Sequence, residues 1–372
     1  MEMLTNATIC DKRPTGLGVY TINVIKEINK RENINQEILV NKLINVDHSF
    51  YKNDVIYTPN YILSSNGWLA QLARIIYLNC FLPKIGRDKD LIFNPVPEGS
   101  LFLNHQVTVI HDILPLLFKR EYPKSYYYYK YYVPRLLKKS YKVIVPSNNT
   151  KKDIIRVYNI DNDKIIVAPN GYDNKHFFQR NDDEVNNIKT KYGLSKYILY
   201  VGNMYPHKNL ERLIQAFCHI HLKFPEIKLV LVGDTKHWNF NNLVKLVDSL
   251  GLSNSIYFLD YVSYQELPSL YGGALAFVYP SLYEGFGLPI IEAMACGTPV
   301  ITSNTSSLRE IAGNCALTVN PIDIKEIESK ISKIIVNTEL RELYRKRGLK
   351  RALEYDWGKT VDKILSQLPS KE

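Results

Sequence analysis

The stretch from Tyr279 to Thr302, YPSLYEGFGLPIIEAMACGTPVIT, constrains the fold more than any other part of the sequence. It begins at the end of an apolar run, Ala274 to Tyr279, which is typical of a buried parallel strand. Glu284-Gly285-Phe286-Gly287 then predicts a turn whose glycines let backbone N–H groups approach a ligand. Pro289 suits the first turn of a helix, which we expect to end near Gly297. A glycine turn that leads into a helix N-terminus is a suitable place to bind an anion.

Two carboxylates lie on either side of this turn, Glu284 before the helix and Glu292 inside it. Taken alone, Glu284 fits a charge at a helix start and Glu292 fits a solvated helix face. The residues around Glu292 are all apolar, however: Ile290, Ile291, Ala293, Met294 and Ala295. A carboxylate in so apolar a helix needs a hydrogen-bonding partner. Sugar hydroxyls are natural donors, so the pair predicts a saccharide site.

The motif that begins at Glu284, Glu-Gly-Phe-Gly-Leu-Pro, is followed by Glu292 and by Ala-Cys-Gly-Thr-Pro-Val from Ala295. Together these residues closely resemble the donor-site signature of retaining glycosyltransferases of family 4. The resemblance implies the GT-B fold, an α/β architecture of two Rossmann-like domains whose parallel sheets face a central cleft. The implied domains are an N-terminal acceptor-side domain (1–171), a nucleotide-sugar donor domain (172–356) and a C-terminal helix (357–372) that returns to the first domain.

Length and composition agree with a two-domain enzyme. The chain has 372 residues, more than one typical core, and no apolar run long enough to span a bilayer. Its five scattered cysteines predict reduced, buried thiols in a cytoplasmic protein. Residues 1–175 contain 24 Lys and Arg against 16 Asp and Glu, and the remainder contains 23 against 21. With no nucleic-acid motif, this basic excess favours an anionic membrane or a phosphorylated acceptor as a partner.

The N-terminal region predicts a Rossmann-type opening. Residues 3–10 fit a strand, and a glycine loop with Gly16 and Gly18 leads to a helix from Val19 to Ile28. Thr21 occupies the third glycine position of the dinucleotide fingerprint, so the sequence does not support NAD binding. The resemblance implies that Gly16 and Gly18 lie against the donor, although a tight turn alone explains them equally well.

His111 and Lys208 follow predicted strands, at the edge of the sheet where ligands of open α/β folds bind. The resemblance implies that His111 hydrogen-bonds the donor sugar and that Lys208 neutralises the donor diphosphate. The family's arginine after the glycine is Asn203 here, and His207 is the nearest substitute for its charge. The donor-binding set implied by resemblance also contains Tyr261 and Val262 beside the base, and Gly285, Phe286, Gly287, Leu288 and Glu292.

Residues 119–142 combine eight basic side chains with eight tyrosines and one acid, Glu121. Tyrosine, lysine and arginine all suit a membrane–water interface, which favours a helical surface that contacts an anionic membrane or a lipid-linked acceptor. A basic amphipathic helix with its tyrosines in the core fits the same composition.

The resemblance implies a retaining hexosyltransferase that moves a sugar from a nucleotide-diphosphate sugar to a saccharide or lipid-linked acceptor in surface-polysaccharide synthesis. Glu284, Lys208 and His111 are the expected catalytic residues, without a metal or other cofactor. Asp88-Lys89-Asp90 and Asp161-Asn162-Asp163 are interpreted as turns. Pro-His-Lys-Asn-Leu after the glycine loop resembles bacterial surface-polysaccharide transferases, and this resemblance implies GDP-mannose as the donor. A nucleotide-sugar epimerase of the same fold and a non-catalytic partner subunit remain alternatives.

Overall fold

The protein is divided into two compact units. The structure is a computed structural model, and it describes residues 1–11, 16–43, 54–63 and 67–368. The first unit contains Met1–Gly171 and Trp357–Glu372, and the second contains Tyr172–Asp356. Pro14 and Thr15 of the expected glycine loop lie outside the described residues.

The described residues of the first unit contain a parallel sheet of seven strands. These are β1 (Glu2–Asn6), β2 (Asn35–Asn41), β3 (Val55–Thr58), β4 (Leu91–Asn94), β5 (Gln106–Val109), β6 (Lys142–Val145) and β7 (Ile165–Val167). Their order across the sheet is β3-β2-β1-β4-β5-β6-β7. Every pair of neighbours is parallel.

Helices cover both faces of this sheet. They are α1 (Gly16–Ile28), α2 (Gly67–Ile85), α3 (Leu114–Leu117), α4 (Pro123–Tyr127), α5 (Val133–Lys139) and α6 (Asn148–Tyr158). Successive residues of β1 point to opposite faces. Met3 therefore packs with Val24 of α1, and Leu4 packs with Leu78 of α2.

The second unit has the same construction with six strands. These are β8 (Lys196–Val201), β9 (Ile227–Val232), β10 (Ile256–Leu259), β11 (Ala276–Tyr279), β12 (Val300–Ser303) and β13 (Leu317–Val319). Its helices are α7 (Asp182–Lys191), α8 (Leu210–Lys223), α9 (Phe240–Ser249), α10 (Leu267–Gly272), α11 (Leu288–Ala295), α12 (Ser306–Ala312), α13 (Ile324–Val336) and α14 (Thr338–Ala352). The last helix, α15 (Trp357–Leu365), packs on the first unit, where Trp357 meets Tyr20 edge to face at 5.6 Å.

Both sheets are doubly wound. The second has the order β10-β9-β8-β11-β12-β13, so the chain reverses its direction of growth between β8 and β11, as it does between β1 and β4 in the first. Ligands of open α/β sheets bind outside the carboxyl ends of the strands at such switch points. The predicted α/β class with two Rossmann-like parallel sheets is confirmed.

Three details differ from the sequence prediction. The first strand ends at Asn6, and Thr8 and Ile9 form a turn after it. Helix α1 begins at Gly16, so Gly16 and Gly18 lie in its first turn and not in a loop before it. The cysteines are not all buried: Cys10 and Cys296 are buried, whereas Cys80 is exposed.

The tyrosine-rich segment 119–142 is helical but irregular. A π-helical turn, Tyr128–Tyr132, separates α4 from α5. The tyrosines divide between two environments. The hydroxyls of Tyr128 and Tyr132 donate to the carbonyl oxygens of Pro97 and Gly99, whereas Tyr127 and Tyr131 are about half exposed. Membrane contact through this segment stays a prediction. Within the described ranges, no helix combines the length and the apolar character needed to cross a bilayer.

Candidate functional site

The candidate site lies at the switch point of the second sheet. Strands β8 and β11 are hydrogen-bonded neighbours, and the loops that follow them carry Lys208 and Glu284. The two loops are joined directly, because the N–H of Leu282 donates to the carbonyl oxygen of His207 at 2.8 Å. Strand order therefore brings together two residues that are 76 positions apart in the sequence.

Asn209 fixes the loop that presents Lys208. Lys208 ends a short 3₁₀ turn, and Asn209 follows in the left-handed region at φ 64° before α8 begins. Asparagine tolerates this conformation better than most residues. Its amide donates to the carbonyl oxygens of Pro280 at 3.0 Å and Pro321 at 2.6 Å, which ties the turn to the end of β11.

A buried ion pair forms the centre of the site. Lys208 Nζ lies 2.5 Å from Glu284 Oε1, and the two side chains are 9% and 10% exposed. The ammonium also donates to the Tyr279 hydroxyl at 2.9 Å and lies 5.2 Å from the centre of its ring. Tyr279 in turn stacks on Tyr200 at 5.7 Å. Two charges withdrawn from water are retained only where they satisfy each other and further polar partners.

The charges of the site follow from these contacts. Burial raises the pKa of Glu284, but Lys208 and His207 outweigh it and hold this pKa below its usual value. Glu284 is therefore an anion at pH 7. Burial, reinforced by the neighbouring Lys208, lowers the pKa of His207 to about 4. His207 is therefore neutral at pH 7.

The turn after Glu284 is held by two serines at the start of α12. Ser306 Oγ accepts from the N–H of Glu284 at 3.1 Å. Ser307 Oγ donates to the carbonyl oxygens of Glu284 at 2.9 Å and Phe286 at 2.8 Å. Gly287 has φ 117°, and a Cβ there would lie 2.8 Å from a methyl carbon of Leu308. This position therefore requires glycine.

Glu292 has a protein partner that the sequence did not reveal. The hydroxyl of Tyr271, on α10, donates to Glu292 Oε2 at 3.1 Å. Burial raises the pKa of Glu292 to about 7, partly offset by Tyr271, and Asp173 raises it further. A carboxyl group with this pKa changes charge near neutral pH, and its remaining oxygen capacity suits hydroxyl donors.

The other residues of the predicted donor-binding set lie in different environments. Asn203 is exposed, and its carbonyl oxygen accepts from the Tyr200 hydroxyl at 2.7 Å. Tyr261 is 81% exposed, whereas Val262 is buried. Gly285 is buried, and Leu288 is the partly buried first residue of α11.

His111, Gly16 and Gly18 belong to the first unit. His111 Nε2 lies 2.9 Å from the carbonyl oxygen of Pro95, and the ring meets Tyr20 edge to face at 4.6 Å. A carbonyl oxygen only accepts, so Nε2 carries the proton and Nδ1 is the acceptor in the neutral ring. Burial lowers the pKa of His111 to about 4, which keeps the ring neutral at pH 7.

The described ranges contain no group of three or more His, Cys, Asp or Glu side chains arranged to bind a metal ion. Asp90 of the first Asp-x-Asp sequence instead accepts from the backbone N–H of Glu2 at 2.8 Å. In the second such sequence, Asn162–Lys164 form a 3₁₀ turn.

Two family models and several known proteins match this chain. Residues 181–351 match the model "Glycosyl transferases group 1", and residues 103–176 match "Glycosyltransferase Family 4". An O-antigen chain mannosyltransferase B from Escherichia coli is 34% identical over 72% of this chain and 71% of its own length. The O-antigen chain mannosyltransferase RfbU of Salmonella typhimurium is 30% identical over 89% of this chain and 90% of its own length.

Solved structures show the same fold. Anabaena HepE in complex with UDP-glucose superposes with a TM-score of 0.77 at 20% identity and covers 99% of this chain and 100% of its own. WaaG, a glycosyltransferase of lipopolysaccharide biosynthesis, has a TM-score of 0.72 at 16% identity, with 98% of each chain covered. The fold of these solved structures is therefore the fold of this chain.

Removing one member of the buried ion pair should destabilise the protein more than removing both. Lys208→Met and Glu284→Gln each leave an unpaired buried group, so each should lower the free energy of unfolding by about 3–5 kcal/mol. The double variant leaves no buried charge and should lie closer to the wild type than either single variant. Urea unfolding of the four proteins measures the coupling. Strictly additive losses would contradict this prediction.

The raised pKa of Glu292 should make stability depend on pH. In the unfolded chain this carboxyl has its ordinary pKa of 4.5, whereas in the folded chain it retains the proton until about pH 7. The contribution of Glu292 to the free energy of unfolding is thus complete below pH 4.5. It is lost as the pH rises to 7, which lowers this free energy by about 3 kcal/mol.

Glu292→Gln removes this titration and serves as the comparison. The difference in unfolding free energy between wild type and Glu292→Gln should change across that window and be constant above it. A difference that is flat from pH 4.5 to 7 would show that the carboxyl titrates normally.

Proposed function

The chain belongs to glycosyltransferase family 4, and on this premise we propose that it transfers a mannosyl group from a nucleotide-diphosphate sugar to a saccharide or lipid-linked saccharide. The product retains the anomeric configuration of the donor. The buried pair Lys208–Glu284, at the switch point of the second sheet, is the observation that supports this proposal most directly.

Lys208 stabilises the departing nucleotide diphosphate. Negative charge grows on the diphosphate as the bond to the sugar breaks, and a cation fixed in a buried site acts on that charge without reorganising. The hydrogen bond to the Tyr279 hydroxyl and the ion pair with Glu284 hold the ammonium in place before the donor arrives. We propose that this fixed cation serves in place of a metal ion.

Glu284 and Glu292 bind hydroxyl groups of the donor. The ionised Glu284 carboxylate accepts hydrogen bonds from the transferred sugar, and the Glu292 carboxyl accepts them from the ribose. In the first unit, His111 Nδ1 is an acceptor for a further sugar hydroxyl, because Nε2 donates to Pro95. Retention is attributed to attack on the face that the diphosphate leaves, with a phosphate oxygen taking the acceptor's proton.

The proposed mannosyl donor rests on the relatives. Both relatives described above are named as O-antigen chain mannosyltransferases. These names favour GDP-mannose as the donor and a surface polysaccharide as the product. They also favour transfer over epimerisation, which would turn over a nucleotide sugar without any acceptor.

The test begins with the donor and continues with Glu284. Thermal-shift measurements with GDP-mannose, UDP-glucose, UDP-N-acetylglucosamine and UDP-galactose should show the largest stabilisation with GDP-mannose.

Glu284→Gln removes a charged contact that strengthens in the transition state. It should lower the kcat for mannosyl transfer by about 10²–10³-fold, while the KM for the donor changes less.

Glu226→Gln is the matched control, because this carboxylate of the same unit is 53% exposed and lies outside the site. Its turnover should equal that of the wild type. If Glu284→Gln also retained wild-type turnover, the assigned site would be wrong. Turnover of the donor in the absence of any acceptor, with epimerised product, would instead favour the epimerase.

A further inference from the structure

Tyr271 is a fully buried residue of α10 whose hydroxyl donates to Glu292 Oε2 at 3.1 Å. Glu292 lies on α11 and is partly exposed, whereas its neighbours Ile291 and Ala293 are buried. A partly exposed glutamate samples several side-chain conformations unless a contact fixes it. The hydrogen bond from Tyr271 therefore restrains a carboxyl group that a ligand can still reach.

The ring of Tyr271 is held on two sides. It meets Phe277 of β11 edge to face at 5.3 Å, and it meets Phe177, from the segment after Gly171, edge to face at 6.1 Å. Its backbone carbonyl oxygen accepts from the Thr298 hydroxyl at 2.6 Å, which ties α10 to the segment between α11 and β12. Aromatic contacts of this geometry add to the stabilisation from burial alone. The position of the Tyr271 hydroxyl is thus set by the protein before any ligand binds.

The Tyr271 hydroxyl acts as a donor and favours the ionised form of Glu292. Burial raises the pKa of Tyr271 well above its ordinary value, so the hydroxyl keeps its proton at neutral pH. For Glu292, burial raises the pKa, the hydrogen bond from Tyr271 lowers it, and Asp173 raises it further. Tyr271 therefore opposes both effects that disfavour a charged carboxylate at this position.

The other titratable groups near Glu292 are accounted for in the same way. Asp173 has a tyrosine partner of its own, because the hydroxyl of Tyr264 donates to Asp173 Oδ2 at 3.0 Å. Burial raises the pKa values of Tyr264, Tyr279 and Cys296, so these three groups are neutral at pH 7.

The hydrogen bond from Tyr271 leaves Glu292 able to accept more than one further donor. An ionised carboxylate has about four acceptor positions, and the Tyr271 hydroxyl occupies one of them. The two neighbouring hydroxyl groups of a ribose can occupy two others. A carboxylate that is already held in place loses less conformational entropy when it binds them. Because the ribose is common to GDP-sugars and UDP-sugars, this argument does not depend on the base.

We propose that Tyr271 is a positioning residue for the donor: its hydroxyl fixes the Glu292 carboxylate so that the remaining acceptor positions bind the 2′- and 3′-hydroxyl groups of the ribose. This inference rests on the proposed transferase function, in which Glu292 binds the ribose, and adds the residue through which that contact acts. Tyr271 itself does not touch the donor.

Calorimetric titration of the full chain with nucleoside diphosphates measures this role. Tyr271→Phe should raise the Kd for GDP about tenfold, because it removes a hydrogen bond to a charged group. The increase should be smaller for 2′-deoxyGDP and 3′-deoxyGDP, which each lack one of the hydroxyl groups that Glu292 accepts. In the Glu292→Gln background, Tyr271→Phe should cause little further loss.

Tyr197→Phe is the matched control, because this buried tyrosine of β8 donates to the carbonyl oxygen of Leu270, beside Tyr271 on α10, at 2.6 Å. It removes a buried hydroxyl next to the same helix without removing the contact to Glu292, so its Kd values should equal those of the wild type. A wild-type Kd for GDP in Tyr271→Phe would overturn the proposal. A loss of the same size in Tyr197→Phe, or an equal loss for GDP and both deoxy analogues, would also overturn it.

The pH dependence of GDP binding is a readout that a purely structural role of Tyr271 would not change. Ionised Glu292 is the better acceptor, so binding should weaken as the pH falls through about 7. Loss of the Tyr271 hydroxyl raises the pKa of Glu292, so in Tyr271→Phe the same weakening should begin about one pH unit higher. The terminal phosphate of free GDP titrates identically in both experiments. Coincident pH profiles would contradict the positioning role.

A crystal structure of the wild type with GDP decides the proposal even if Tyr271→Phe does not fold. The Tyr271 hydroxyl and a ribose hydroxyl should both lie within about 3.5 Å of the Glu292 carboxylate. A ribose bound by Tyr271 itself, or away from Glu292, would overturn the proposal while GDP binding still supports a transferase. If the wild type binds neither GDP nor UDP, the proposed function and this inference fail together.

Discussion

A lysine ammonium and a glutamate carboxylate, both withdrawn from water, join the loops that follow two neighbouring strands of the second unit. Neither charge is stable there alone, because a single buried ion carries a desolvation penalty of several kcal/mol. Lys208 and Glu284 therefore depend on each other and on the hydroxyl of Tyr279. The same contacts that stabilise the loops place an anion and a cation side by side, and we propose that this pair binds the sugar and the diphosphate of the donor.

The doubly wound strand order determines where such pairs form. The direction in which strands are added to the sheet reverses between β8 and β11. This reversal separates the helices at the carboxyl edge of the sheet and leaves room for side chains from two loops. The first unit repeats the arrangement between β1 and β4, with Arg74 and Glu98 as its buried pair. Each of the two sheets thus carries a buried ion pair at its switch point.

Local chemistry made parts of this site predictable. The turn after Glu284 follows from its glycines, and the observed φ of 117° at Gly287 is one that glycine alone adopts readily. Contacts between residues that are distant in the sequence could not be predicted in the same way. The partner of Glu292 is Tyr271, whose hydroxyl donates to it from another helix, and the burial that lowers the pKa of His207 comes from the folded chain. The sequence predicts Tyr279 only as the end of an apolar strand. Its position at the carboxyl edge of the sheet is the one feature of the sequence that indicates it could reach the site.

The most direct test is a crystal structure of the full chain with GDP-2-fluoromannose, in which the fluorine slows loss of the diphosphate. The account predicts that Lys208 Nζ lies within about 3.5 Å of a diphosphate oxygen, and that the Glu284 carboxylate lies at the same distance from a hydroxyl of the sugar. Donor density at another place in the chain, or a bound donor that both side chains leave beyond hydrogen-bonding distance, would contradict it.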